Sequence, residues 1–362
     1  MKPPKNLCDL SPKTLLFLLI LLLFITSRSF SMAPATSMVS AVIMFGDSIV
    51  DTGNNNYLPT VAKCNFPPYG RDFDGGKPTG RFSNGRVPSD LIVEKLGIKE
   101  FLPAYNQPGL QYTDIVNGVN FASGGSGYDP LTPLFASAIS LEEQVQKMKA
   151  YKETLAFVLG EDGASGLFSN ALFLVMQGSN DILNTYYLSR ARQYHFTIDS
   201  YTTFLVQIAY RFLKELYEAG ARKVGVFGTP PLGCLPSQRI LTGGIEKRCN
   251  EEYNDAAKLF NSKLESALSA ISGELGDATM AYLDIFTPVM ELLTRPDDYG
   301  FKYVKSGCCG TGNLEVAILC NKYSPGTCDN SSEYLFWDSF HPTEAAYKIV
   351  VDKIFDKYAN LL

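Results

Sequence analysis

The sequence predicts a single doubly wound α/β domain with a central, mostly parallel sheet. Two observations predict it. Short β-rich runs alternate with amphipathic helical stretches, and no repeat, low-complexity tract or linker divides the chain. At 362 residues the chain can bury a substantial core, and 46% hydrophobic against 19% charged residues sets it with globular proteins, outside the disordered regime.

Taken in order, the first 32 residues stand apart. Lys2, Lys5 and Lys13 precede an unbroken apolar run from Leu15 to Ile25, then small polar residues with a candidate cleavage region at Ser29–Ala33. This pattern predicts a cleavable export signal over 1–32 and a folded domain over 33–362. The rival is a membrane anchor, but the run falls short of the ~20 residues needed to cross about 30 Å of hydrocarbon. The expectation is a secreted chain with no stable membrane insertion once the signal is removed.

Val39–Phe45, Ala171–Met176, Lys223–Phe227 and Thr279–Ile285 are apolar runs bounded by Gly, Asp or Pro, and they predict buried strands. Tyr201–Ala219 predicts a helix: Ser200 is a candidate cap, apolar residues recur at three and four, and Gly220 stops it. Arg248–Ile271 and Thr343–Tyr358 are helical by the same test. Asn54–Arg86 is rich in Pro, Gly, Asn and Phe without periodicity, so it is either a wall of the site or a rigid surface excursion.

Charge and cysteines narrow the setting. A net charge of −5, with no Lys/Arg block, argues against nucleic acid as a partner. Beyond the leader, which contains Cys8, remain Cys64, Cys234, Cys249, Cys308, Cys309, Cys320 and Cys328. An exported chain should hold most of these as disulfides, with Cys64 the odd one, although spacing does not fix the pairing. A zinc site is disfavoured for the last four, which have no His among them and no paired CxxC. Asn330-Ser331-Ser332 is a glycosylation acceptor.

Four fragments could carry chemistry, each with a plainer alternative. In open α/β sheets ligands bind beyond the carboxyl ends of strands, so residues at strand ends matter first. The first strand ends Phe45-Gly46-Asp47-Ser48, where Gly46 permits a tight turn that exposes Ser48 at the start of a following helix. Ser48 there is a nucleophile if a base serves it, or a helix cap if none does. The Gly-rich run Asn120–Gly127 is an anion-cradling turn or a plain one; it lacks the GxGxxG spacing and the P-loop Lys. Asn180, after the Ala171–Met176 strand, is a side-chain donor to a developing oxyanion or part of an Asn-Asp turn. In Asp338-Ser339-Phe340-His341-Pro342, the proline keeps His341 extended and Asp338 can orient its ring. The DxxH pattern alone is weak. The chain has only 2 histidines, however, and His195 lies in an aromatic segment without a paired carboxylate, so His341 is the candidate base.

Together the fragments supply a nucleophile, an oriented base and oxyanion donors at one sheet edge. The strings FGDSIVDTGNNN, PPYGRDF, PTGRFSNGR, VNFASGGSGY, GSNDI, VFGTPPLGCLPSQR and FWDSFHPTE occur in that order from Val42 almost to the C terminus. In them the chain resembles the GDSL (SGNH) hydrolases, most closely the plant extracellular lipase group. The resemblance implies a flavodoxin-like sheet (the SGNH hydrolase fold) and carboxylic ester hydrolysis through an acyl-enzyme on Ser48. Asp338 and His341 would complete the triad. The implied oxyanion donors are the Ser48 N–H, the Gly124 N–H, with Gly125 as its neighbouring alternative, and the Asn180 side chain. It implies no cofactor and no metal, and small-molecule or polymeric esters as substrates.

Rival chemistries fare worse. Val50 stands where a GxSxG elbow needs its last Gly. Asp51-Thr52-Gly53 resembles half of an aspartic-protease dyad, but no second such triplet exists. An acyltransferase using the same triad, or an idle lipid- or glycan-binding module on the scaffold, remain the alternatives outside hydrolysis.

Overall fold

In a computed structural model that describes residues 39–359, five strands pair in parallel in the order β2-β1-β3-β4-β5. They are β1 (Val42–Gly46), β2 (Gly118–Asn120), β3 (Leu172–Met176), β4 (Lys223–Phe227) and β5 (Thr279–Leu283). The expected leader, with Cys8 and the Ser29–Ala33 cleavage region, lies outside the described residues.

Strand side chains alternate between faces, and each face finds its own helices. Ile43, Phe45, Phe173, Val175, Val224 and Val226 join one core. That core is covered by α2 (Leu141–Leu159), α3 (Glu161–Asn170), α4 (Ile198–Ala219) and α5 (Glu251–Leu275). Val42, Met44, Leu172, Leu174 and Met176 point the other way, against α1 (Pro88–Lys95) and α7 (Glu344–Tyr358), with α6 (Phe286–Thr294) preceding α7 in the chain. Phe45 is sandwiched, with ring centroids 5.3 Å from Phe121 and 5.4 Å from Phe212. β1 and β3 are buried throughout, whereas edge strand β5 is only half so.

The structure revises several expected boundaries. α4 begins at Ile198, and its cap is Thr197, whose hydroxyl accepts the Ser200 N–H at 3.2 Å. Ser200 therefore donates to the cap and is not the cap itself. Gly220 ends that helix at φ 117, as its position predicts. No helix follows β1: Asp47–Val50 form a turn and then a 3-10 segment at Asn54–Tyr57. A second sheet pairs β6 (Tyr303–Gly307) with β7 (Tyr334–Phe336), again in parallel.

Among the described residues, three disulfides join Cys234–Cys249, Cys308–Cys328 and Cys309–Cys320, leaving Cys64 as a free, buried thiol. Asn330 is exposed, its side-chain oxygen accepting from the Ser332 backbone and hydroxyl. Among the described residues, no helix is long and apolar enough to cross a membrane.

Candidate active site

Strand order decides where a site can form. From β1 the chain runs to β2 on one side and then returns to β3 on the other, so a crevice opens beyond the carboxyl ends of β1 and β3. Ser48 follows β1 and Asn180 follows β3. Gly46 closes β1 at φ 148, and a Cβ there would stand 2.2 Å from the Met176 carbonyl oxygen of β3. Only glycine lets the two strand ends approach this closely. Asp47 then sets the turn: its carboxylate accepts the Ile49 N–H at 3.0 Å, and its carbonyl accepts the Asp51 N–H at 3.1 Å.

A tight excursion of the chain brings the remaining groups to this edge. Between β7 and α7 the Trp337 N–H donates to the His341 carbonyl at 2.7 Å, closing a loop over Trp337–His341. Ser339 fastens it on two sides, donating to the Glu315 carbonyl and accepting the Ser237 N–H. Thr343 caps α7, so His341 stays outside the helix. His341 Nε2 lies 2.8 Å from Ser48 Oγ, and Nδ1 lies 2.9 and 2.8 Å from the two Asp338 carboxylate oxygens. A carboxylate can only accept, so Nδ1 carries hydrogen and Nε2 turns its lone pair to the Ser48 hydroxyl. Asp338 is fully buried and His341 nearly so, while Ser48 is partly open. Phe82 lies against the imidazole with ring centroids 5.0 Å apart.

The donor side is more divided than expected. The Ser48 N–H meets no acceptor among the described residues. The Gly124 N–H, expected to face the oxyanion, donates to Asp51 Oδ2 at 2.9 Å. Gly124 is buried, and a Cβ there would fall 2.5 Å from the Phe82 ring. Its neighbour Gly125 is half-exposed, and its N–H has no acceptor among the described residues. Asn180 Nδ2 gives one hydrogen to the Ser126 carbonyl at 2.9 Å, which sets it beside the Gly-rich turn with its second hydrogen still to give. His195 is exposed, in the segment leading to α4.

Three buried carboxylates frame the site. Burial pushes Asp47 up to about 7, Asp51 to about 6 and Asp181 to about 7, against the backbone N–H groups each accepts. Asp181 takes the Tyr128 and Asp129 N–H groups and the Thr132 hydroxyl, tying the Gly-rich turn to the segment that carries Asn180. A separate cleft of about 1090 Å³, lined by Phe73, Arg81, Arg86, Lys99 and Phe101 among others, contains none of Ser48, Asn180 or His341.

Residues 42–354 match the profile described as GDSL-like Lipase/Acylhydrolase. The chain belongs to this family. It is, in class, a carboxylic ester hydrolase. Among relatives, the GDSL esterase/lipase EXL3 of Arabidopsis thaliana is 47% identical over 354 residues, covering 98% of this chain and 97% of its own. EXL2 of the same plant is 44% identical over 362 residues, covering 96% of each chain. Among solved structures, a catalytic mutant of the acetylxylan esterase Axe2 from Geobacillus stearothermophilus is 15% identical with a TM-score of 0.39, covering 88% of this chain and 93% of that one.

Within this GDSL chain, several supporting residues escaped the sequence reading. Asp51 and Tyr69 sit inside the strings FGDSIVDTGNNN and PPYGRDF, and Asp181 inside GSNDI, so the motifs carried the signal without the roles. Gln144 is different. It is fully buried on α2, where its side chain holds both the N–H and the carbonyl of Gly46, at 3.0 and 2.9 Å. A polar residue on the apolar face of a helix was its only mark.

Proposed function

We propose that this GDSL family member is a secreted serine esterase that cleaves carboxylic esters in two steps through an acyl-enzyme on Ser48. His341 takes the Ser48 proton as Oγ attacks the ester carbonyl, and Asp338 steadies the imidazolium that results. The oxyanion is received by the Ser48 N–H, the Asn180 amide and, because the Gly124 N–H is engaged by Asp51, the Gly125 N–H. His341 then protonates the leaving alcohol, and water repeats the sequence on the acyl-enzyme. The observation that carries this proposal is the unbroken contact chain from Ser48 Oγ through His341 to Asp338, at 2.8 Å on both links. Export is supported by the leader pattern of the first 32 residues and by the three disulfides.

The test is hydrolysis of p-nitrophenyl esters of graded chain length by wild type and Ser48→Ala. Wild type should turn over and Ser48→Ala should lose about 10³-fold or more in kcat. Equal rates from two folded proteins would overturn the proposal. The chain-length profile reports which acyl groups the site accepts.

A further inference from the structure

We propose that Tyr69 is a positioning residue for this site, acting on His341 through the second oxygen of Asp338. The inference rests on the reading of Ser48 as nucleophile and of His341 as its base.

Tyr69 arrives from the long Asn54–Arg86 stretch, 269 residues away in sequence, and its hydroxyl lies 2.7 Å from Asp338 Oδ2. The same hydroxyl accepts the Ala317 N–H at 2.8 Å. A phenol has one hydrogen, and a carboxylate oxygen can only accept, so that hydrogen points at Asp338. The two carboxylate oxygens are therefore held differently. Oδ1 takes the Phe340 and His341 N–H groups, both at 2.8 Å. Oδ2 has Tyr69 as its partner besides the imidazole among the described residues.

The phenol is itself held from all sides. Tyr69 is fully buried, and its ring stands edge-on to Phe66, Phe82 and Trp337 at 6.0, 6.3 and 6.2 Å. Trp337 precedes Asp338, and Phe82 covers His341, so one aromatic cluster fixes ring, carboxylate and imidazole together. Ala317 takes a left-handed φ of 47, uncommon for a residue with a Cβ, in a segment bounded by the Cys309–Cys320 disulfide. That conformation aims its N–H at the Tyr69 hydroxyl. Burial pushes the phenol well above its ordinary range, which keeps its proton in place. Other titratable groups face the same pair: the His341 ring opposes the burial that raises Asp47, and the Asp338 carboxylate adds to the burial that raises Cys64 and Tyr347.

Without the hydroxyl, Oδ2 keeps only the imidazole, and the carboxylate is fastened to the backbone through Oδ1 alone, so its plane is less firmly set against the ring. Its charge is also less dispersed, so the imidazolium gains stability. Tyr69→Phe should thus lower kcat about tenfold with KM within twofold, and move the acid limb of kcat/KM to higher pH. Replacing Tyr69 with 3-fluorotyrosine makes the phenol a stronger donor and should move that limb the other way. In an Asp338→Asn background, Tyr69→Phe should cost less than about twofold, because the residue it acts through has changed.

The assay is p-nitrophenyl butyrate hydrolysis by the full secreted chain, with folding checked by near-UV circular dichroism. Opposite limb shifts for the two variants, or loss of the Tyr69→Phe effect beside Asp338→Asn, support the proposal. An equal fall in both backgrounds, no fall at all, or a loss confined to KM overturns it. Should Tyr69→Phe fail to fold, the fluorotyrosine limb shift alone decides. An active wild type with a dead Ser48→Ala and an unaffected Tyr69→Phe sinks this inference alone, whereas an active Ser48→Ala sinks the serine mechanism beneath it.

Discussion

Asn180 is pinned on two sides. Its amide gives a hydrogen to Ser126 and its oxygen accepts from Asn184 at 3.0 Å, which pins the group with one N–H left over. If that N–H meets the oxyanion, Asn180→Ala should lower kcat by about 10²–10³-fold with little change in KM. Steady-state kinetics on the folded variant check this, and a kcat within a few-fold of wild type would remove Asn180 from the mechanism. Ser48 and His341 stood out as candidates at this scale: Ser48 follows a strand at a glycine turn three residues before a second carboxylate, and the other histidine lacks a carboxylate. Tyr69, Gln144 and Asp51 did not stand out in their roles. Each acts on a group 73 to 269 residues distant, and no local spacing records such a contact.

The long Asn54–Arg86 stretch is the element whose role the sequence left open. It proves to be a buttress. Tyr69 and Phe82 project from it onto Asp338 and His341, and Arg81 bolts it to the rest of the domain. The Arg81 guanidinium meets both Asp90 oxygens of α1 at 2.7 Å, with Asp90 wholly buried, and also donates to the Thr52 carbonyl. Removing one partner leaves a buried charge unpaired, so Arg81→Ala should destabilise the fold by roughly 3–5 kcal/mol. Urea unfolding monitored by fluorescence measures it; a loss below 1 kcal/mol would mean that the pair behaves as a surface contact. Elsewhere, strong periodicity made α4 and α7 readable. β2 was missed because three residues carry no period. α2 was also missed, although Ser140 and Glu143 form the reciprocal cap that marks a helix start.

At the scale of the whole molecule, alternation of strands and helices was enough to foresee a doubly wound domain, because a parallel sheet must be covered on both faces. Strand order was not foreseeable from periodicity, and it is the order that puts β1 beside β3, the strands that Ser48 and Asn180 follow. Crowding polar groups at that edge has a global consequence. Asp47, Asp51 and Asp181 titrate near 7, 6 and 7 when folded, against an ordinary 3.8. Between these limits the folded chain binds more protons than the unfolded chain. The stability these groups contribute is therefore present at the acid side and lost as pH rises through the window. Thermal unfolding should occur roughly 5 °C higher at about pH 5.5 than at about pH 8. Scanning calorimetry at the two pH values checks it, and a midpoint that rises with pH would show that these carboxylates are paired more effectively than their burial implies.

The central claim is that Ser48 is the nucleophile, and covalent trapping tests it most directly. Intact chain treated with a p-nitrophenyl alkyl phosphonate should release one p-nitrophenolate per chain and carry the phosphonyl group on the peptide containing Ser48, as read by mass spectrometry. Prior substitution of Ser48→Ala should abolish labelling, and His341→Ala should slow it severely. Labelling of another serine, or none in a chain that hydrolyses esters, would contradict the account.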